Sequence, residues 1–196
     1  MATDNGVLTN PGLLKASATL ALPDSLLRMP SAGQPEWFVL RTRSRHEKMV
    51  AAQLNGKYVE CMLPLFTSLH RWRDRQQTVS VPLFPGYVFV HIAAQDRLQV
   101  LTVHGAVNLV GNGARPVPLR NDEVLWLQEC VKGSLRMQTF PYLKVGSRVR
   151  VRYGPLAGVE GLLVSEKNQL RVVLSVDLIQ SSVAVEVDAA DVSPIN

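Results

Sequence analysis

The 196-residue chain has four histidines, at positions 46, 70, 91 and 104, and two cysteines, at 61 and 130. Metal binding or nucleophilic catalysis needs such groups at short, characteristic spacings. None occurs here, and no nucleophile elbow or phosphate-cradling glycine loop appears either. The chain is read as non-enzymatic, without metal or cofactor. The arginines are more informative. Arg41 and Arg43 alternate at the end of an expected strand and so share a face, and Arg45 and His46 open an expected helix. Exposed amides at a helix start attract phosphate. Arg71, Arg73 and Arg75 alternate around Trp72, whose ring offers a stacking face for a base. The formal charge is 21 − 16 = +5, and residues 36–75 hold eight Lys or Arg against four acids, +4 of that excess. This chemistry suits a polyanion. The competing reading is a solvated hairpin and helix start, with the arginines meeting Glu47 or Asp74.

A second constellation is Pro82-Leu83-Phe84-Pro85-Gly86-Tyr87. Two prolines around a phenylalanine hold an aromatic on a stiff bend, so little conformational entropy is lost if it docks. Trp37 and Phe38 fit either such a docking surface or the core.

These residues need elements to carry them. Residues 1–34 mix Asn, Gly, Ser, Ala and Pro without periodicity and read as a disordered tail; Lys15 within Leu13–Leu22, and Asp4 before it, argue against a signal peptide. No apolar run approaches the ~18–20 residues of a membrane span. With Cys61 in an apolar run and far from Cys130, a reducing, cytoplasmic setting and no membrane are expected. Trp37–Leu40 suits a buried strand. Ser44-Arg45-His46-Glu47 has the form of a capping box, opening a helix from about Arg45 to Asn55. Val59–Leu63 and Leu65–Trp72 read as strands. Residues 73–77 read as a hairpin tip, with Thr78–Val81 returning and Tyr87–Ile92 as a further strand. A helix over Gln95–Val103, a short strand Val107–Val110, and a helix capped by Asn121 and running to about Lys132 follow. Beyond Lys144 short β-rich segments take over, with Arg148–Tyr153 and Val183, Val185 and Val187 alternating; about 50 residues of this kind suit a small closed barrel.

Arg148-Val-Arg-Val-Arg-Tyr-Gly-Pro-Leu-Ala-Gly-Val-Glu-Gly161 resembles a KOW motif, and Pro82-Leu-Phe-Pro-Gly-Tyr-Val-Phe-Val90 resembles the signature of the NusG N-terminal domain. Trp37–Leu40, the capped helix and Gly105–Gly111 stand in the expected order around it. The resemblance covers about residues 36–195. It implies an α+β, two-domain protein: a NusG N-terminal (NGN) α/β domain with an antiparallel sheet and flanking helices, plus a C-terminal KOW SH3-like small β-barrel. The expected boundaries are tail 1–34, NGN domain 35–133, linker 134–143 and KOW domain 144–196. Within the family, Pro82-Leu-Phe-Pro, Arg71–Arg75 and Leu174–Val187 resemble the UpxY-type antiterminators, relatives of RfaH that act on long surface-polysaccharide operons.

The resemblance implies a monomeric transcription elongation and antitermination factor. Phe84, Pro85 and Tyr87 would grip the clamp helices of the largest RNA polymerase subunit, with Trp37, Phe38 and Leu65 as pocket walls or supports. Arg41, Arg43, Arg45 and His46, extended by Arg71, Arg73 and Arg75, would hold the non-template DNA strand. The stretch near Asp96-Arg97-Leu98 does not reproduce the polar patch with which RfaH-like factors touch the opposite polymerase wall. Gly154, Pro155, Gly158 and Gly161 are read as structural turn residues of the barrel, which would recruit a small-subunit ribosomal protein or Rho. Its alternating Val/Ile-rich sequence favours the barrel over a refolded helical form. The rivals are a general NusG-like factor working with Rho, a ribosome-associated KOW RNA-binding protein, and a purely structural interaction module.

Overall fold

The computed structural model describes residues 33–72, 75–113, 115–132, 137–140, 146–166 and 169–195; along 69–72, 75–77, 165–166 and 169 it describes the backbone path only. The expected tail, but for Gly33 and Gln34, lies outside the described residues, as does Arg73.

Strand β1 (Pro35–Thr42) is the centre of the first domain because its residues are apolar on both sides: Phe38 and Leu40 face one way, Val39 the other, and all three are fully buried. It pairs antiparallel with β5 (Tyr87–Ala93) and β6 (Ala106–Leu109), and β2 (Cys61–Met62) adds to β5, giving the order β2-β5-β1-β6. Helix α1 (Glu47–Gly56) and helix α2 (Arg97–Leu101) cover one face, where Val50, Leu54 and Val100 meet Phe38, Leu40, Val88 and Val90. Helix α3 (Asn121–Val131) covers the other, where Trp126, Leu127 and Cys130 meet Val39, Phe89 and Met62. A hairpin of β3 (Leu65–Trp72) and β4 (Arg75–Pro82) projects from this body, and β7 (Gly111–Asn112) pairs with β8 (Arg115–Pro116).

The second domain is an antiparallel sheet in the order β14-β10-β11-β12-β13-β9. Its strands are β9 (Met137–Phe140), β10 (Ser147–Val151), β11 (Glu160–Glu166), β12 (Gln169–Val176), β13 (Ser181–Glu186) and β14 (Val192–Pro194). The charged–apolar alternation holds in β10: Val149 and Val151 are buried, while Arg148 and Arg150 are exposed and both meet Glu160. The alternation read for Val183 and Val185 does not leave an exposed face in β13, where Ala184 between them is as buried. In neighbouring β12, Val172, Val173 and Leu174 are likewise all buried, so both strands are covered on both faces.

Several expectations need correction. Met137–Phe140, read as linker, is a strand paired along β13. The helix over Gln95–Val103 is a 3-10 turn at Ala94–Asp96 followed by five residues of α-helix. Val59–Leu63 keeps only two residues of strand. Among the described residues no helix is long and apolar enough to cross a membrane.

One apolar cluster runs from the α3 side of the first sheet into the β-domain, taking in Phe84, Trp126, Val149, Leu174 and Val183. At its polar margin, Arg120 Nη1 lies 3.3 Å from Asp177 Oδ2. Glu123 accepts from the Arg120 amide at 3.0 Å and from the Asp177 amide at 3.2 Å. Glu123 therefore closes the start of α3 and joins it to the β-domain. Asn121, expected as the cap, is the first residue of the helix itself.

Candidate interaction surface

The Pro82–Tyr87 bend hangs from the body by backbone bonds. The Leu83 amide donates to the Pro64 carbonyl at 2.8 Å, and the Tyr87 amide donates to the Phe84 carbonyl at 3.2 Å. The bend turns Phe84 inward. Its ring is 2% exposed, meets Phe89 edge-on at 5.5 Å and lies 6.1 Å from Trp126. Phe84 is thus a core residue, a correction to the expectation of a docking aromatic: burying its ring between sheet and helix removes more apolar surface from water than presenting it on the bend. Pro85 remains exposed and Tyr87 half-buried.

Beside Pro85 lies a groove of about 610 Å³ between the start of α1 and the β3–β4 hairpin. Phe66, Val81, Pro82 and Pro85 make its apolar lining; Arg45, just before α1, and Glu47 and Lys48 at its start line it from the helix side, and Thr139 of β9 reaches it from the β-domain. Lys48 donates to the Ser80 carbonyl at 2.6 Å. Phe66, Val81 and Lys48 were not singled out in the sequence, and Glu47 only as a capping residue or arginine partner. The signal for the first two was the hairpin register, which sets Phe66 opposite Val81. Leu65, its neighbour, pairs with Pro82 and is half-buried. Phe38 is fully buried on the opposite face of the sheet, under α1, so it supports this surface only from behind. Trp37 lies on the α3 side, stacked on His91 at 5.0 Å. His91 in turn meets Glu60 at 2.7 Å.

The arginines are only partly gathered. β1 ends at Thr42, which is buried between exposed Arg41 and Arg43; the register shift opposite Arg41 and Thr42 falls in β6, which passes from Asn108 to Ala106. Arg43 follows the strand, its amide donating to the Gly105 carbonyl at 2.8 Å. Arg45, exposed, takes a left-handed backbone conformation (φ 63°), and His46 precedes the helix without a side-chain cap. The reciprocal Ser44–Glu47 capping box does not form; Glu47 accepts from Gly86 instead. Arg43, Arg45 and His46 share this end of the domain with His104, whose ring is 6.0 Å from that of His46. Arg71 and Arg75 lie at the far end of the hairpin. Among the described residues no cluster of three metal-ligating side chains occurs.

In the β-domain, Gly154 and Gly158 have φ of 84° and 88°, as a tight turn requires, with exposed Pro155 between them. Gly161 differs from the expected turn residue. It lies in β11, where an added Cβ would stand 2.5 Å from Val172 Cγ1 and 2.7 Å from the Val173 carbonyl oxygen, so it is required by close packing.

Residues 35–128 match the family model described as transcription termination factor NusG. The NusG transcription termination/antitermination protein of Thermus thermophilus is 30% identical over 165 residues, 72% of this chain and 89% of its own length. That of Borreliella burgdorferi is 24% identical over 182 residues, 81% of this chain and 98% of its own. A solved structure titled "Domain interaction in Thermotoga maritima NusG" matches with a TM-score of 0.54 at 20% identity, over 85% of this chain and all of that one, which supports the two-domain fold.

Proposed function

We infer the function from one premise: this chain belongs to the NusG family. It is accordingly a NusG-like transcription termination/antitermination factor that works by binding and not by catalysis. The reading proposed for its first domain is that the groove beside Pro85 takes the clamp helices of the largest RNA polymerase subunit. What supports it is the make-up of the groove: an apolar lining of Phe66, Val81, Pro82 and Pro85 beside Arg45 and Lys48. Such a surface suits a helix that presents apolar side chains flanked by carboxylates. Tyr87 borders the contact, Leu65 braces the hairpin, and Phe84 and Phe38 support the wall from the core, while Trp37 lies further along the strand beside His91. Arg41, Arg43, Arg45 and His46 would meet the non-template DNA strand, and Arg71, Arg73 and Arg75 would continue that track along the hairpin. The β-domain would recruit a second partner, a small-subunit ribosomal protein or Rho. The UpxY-like segments favour service on specific long operons, such as surface-polysaccharide clusters.

The test is retention of full-length protein on reconstituted RNA polymerase elongation complexes, comparing wild type with Pro85→Glu. Pro85 is exposed, so the substitution leaves the core untouched and sets a carboxylate in the groove. Retention is expected to fall at least about tenfold, as like charges meet across the contact. Wild type that is not retained, or a variant retained equally well, sinks the reading. Pause and Rho-dependent termination assays on the same complexes then separate a specialised factor from a general one.

A further inference from the structure

Glu47 is the first residue of α1 and is 5% exposed. A carboxylate so placed needs a strong partner, since its desolvation is otherwise uncompensated. It is held by a backbone amide: Gly86 N–H donates to Glu47 Oε1 at 2.6 Å. The other side of the same glycine is held as well, because the Thr42 amide donates to the Gly86 carbonyl at 2.8 Å. Gly86 itself sits at φ 85°. The bend has few donors to anchor it, since Pro82 and Pro85 carry none. The next residue, Lys48, reaches the Ser80 carbonyl on β4 at 2.6 Å. Two consecutive side chains of α1 therefore tie the helix to both walls of the groove, one to the bend and one to the hairpin.

We propose that Glu47 is a positioning residue: through Gly86 it sets the orientation of the Pro85–Gly86 turn and so the shape of the groove, in a form ready for its partner. This rests on the polymerase-binding reading of that groove. A charge-assisted bond to a part-buried amide is among the stronger hydrogen bonds, and its loss leaves that amide without this acceptor. Preorganisation of this kind raises affinity by sparing the ordering of the bend on binding.

Two variants of the full chain isolate the bond. Glu47→Met keeps side-chain volume but cannot accept, and Glu47→Gln keeps a neutral acceptor oxygen. Three quantities are measured: hydrogen exchange at the Gly86 amide, retention on elongation complexes, and the urea midpoint. In Glu47→Met, Gly86 exchange is expected to rise at least about tenfold and retention to fall by a similar factor. Glu47→Gln should recover most of both, losing about two- to fourfold. Unchanged Gly86 exchange in Glu47→Met overturns the role given to Glu47. So does a retention loss that tracks the urea midpoint in both variants and is not recovered by Gln, which marks a merely structural residue. Should Glu47→Met not fold, Glu47→Gln decides: matched partial losses at Gly86 and in retention support the proposal, and no loss at either overturns it. Wild type that is not retained removes the polymerase reading itself, an outcome visible apart from the exchange measurement.

Discussion

Replacing Phe84 by Ala distinguishes a core residue from a docking residue at the position where the two readings differ most. The ring is 2% exposed, edge-on to Phe89 at 5.5 Å and 6.1 Å from Trp126. Truncating a fully buried phenylalanine costs about 3–5 kcal/mol, of which the edge-to-face pair accounts for about 0.5–1.5 kcal/mol. Against a total stability of about 5–15 kcal/mol, that is a large fraction. For a chain of this size each kcal/mol lowers the melting temperature by about 2–4 °C, so a fall of roughly 6–20 °C is expected. Urea unfolding followed by tryptophan fluorescence reads the change close to its source, because Trp126 is a direct neighbour, and far-UV circular dichroism checks that the folded state is otherwise retained. Polymerase retention should fall only as far as the folded fraction falls. A destabilisation below about 1 kcal/mol, accompanied by lost retention in fully folded protein, would refute the core assignment and return Phe84 to the docking surface.

Two further outcomes follow from the same reasoning. Gly161→Ala forces a Cβ to 2.5 Å from Val172 Cγ1 and 2.7 Å from the Val173 carbonyl oxygen. Because a backbone atom cannot swing aside, the β-domain should lose about 1–3 kcal/mol in a denaturant titration, and a neutral result would contradict the packing of β11 on β12. Glu123→Gln addresses pH. Burial raises the Glu123 carboxyl above its ordinary 4.5, against the opposing pull of the Arg120 and Asp177 amides and the Arg120 guanidinium. An acid whose folded pKa exceeds its unfolded value weighs against folding where it is ionised: the penalty is absent below 4.5, grows as pH rises and is complete above the folded value. Urea midpoints measured upward from acid pH should therefore move in favour of the Gln variant relative to wild type; a pH-independent difference would refute the shift.

Local patterns carried much of the fold. The apolar run Trp37–Leu40, the spacing of Val50 and Leu54, and the alternation of Arg148–Val151 each report their element, because each is decided by neighbours in the chain. The departures arise where the deciding partner is distant. Glu47 looked like half of a capping box because Ser44 is the nearest candidate in sequence, whereas its actual partner, Gly86, is thirty-nine residues away. Met137–Phe140 has no turn or helix chemistry and passed for linker; only the edge of β13 makes it a strand. Phe84 stands between prolines like a docking residue, and the ring of Trp126, which covers it, belongs to another element. The groove was legible on the Pro82–Tyr87 side and not on the Phe66–Val81 side, since cross-strand register is not written in either strand alone.

The strand made from the expected linker also sets the length of the leash between the domains. With β9 zipped to β13, only residues 132–136 remain between the end of α3 and the start of β9. So short a segment, even fully drawn out, spans about 20 Å. The β-domain is thereby kept at a local concentration near the first domain that no free partner in solution matches, and whatever competes for that face must overcome it. Lengthening the leash means unzipping β9, which would leave the β13 edge with unpaired amides and carbonyls, a template on which another extended segment can add as a strand. Reach and edge exposure are therefore linked: the β-domain cannot travel far without also baring a surface for pairing.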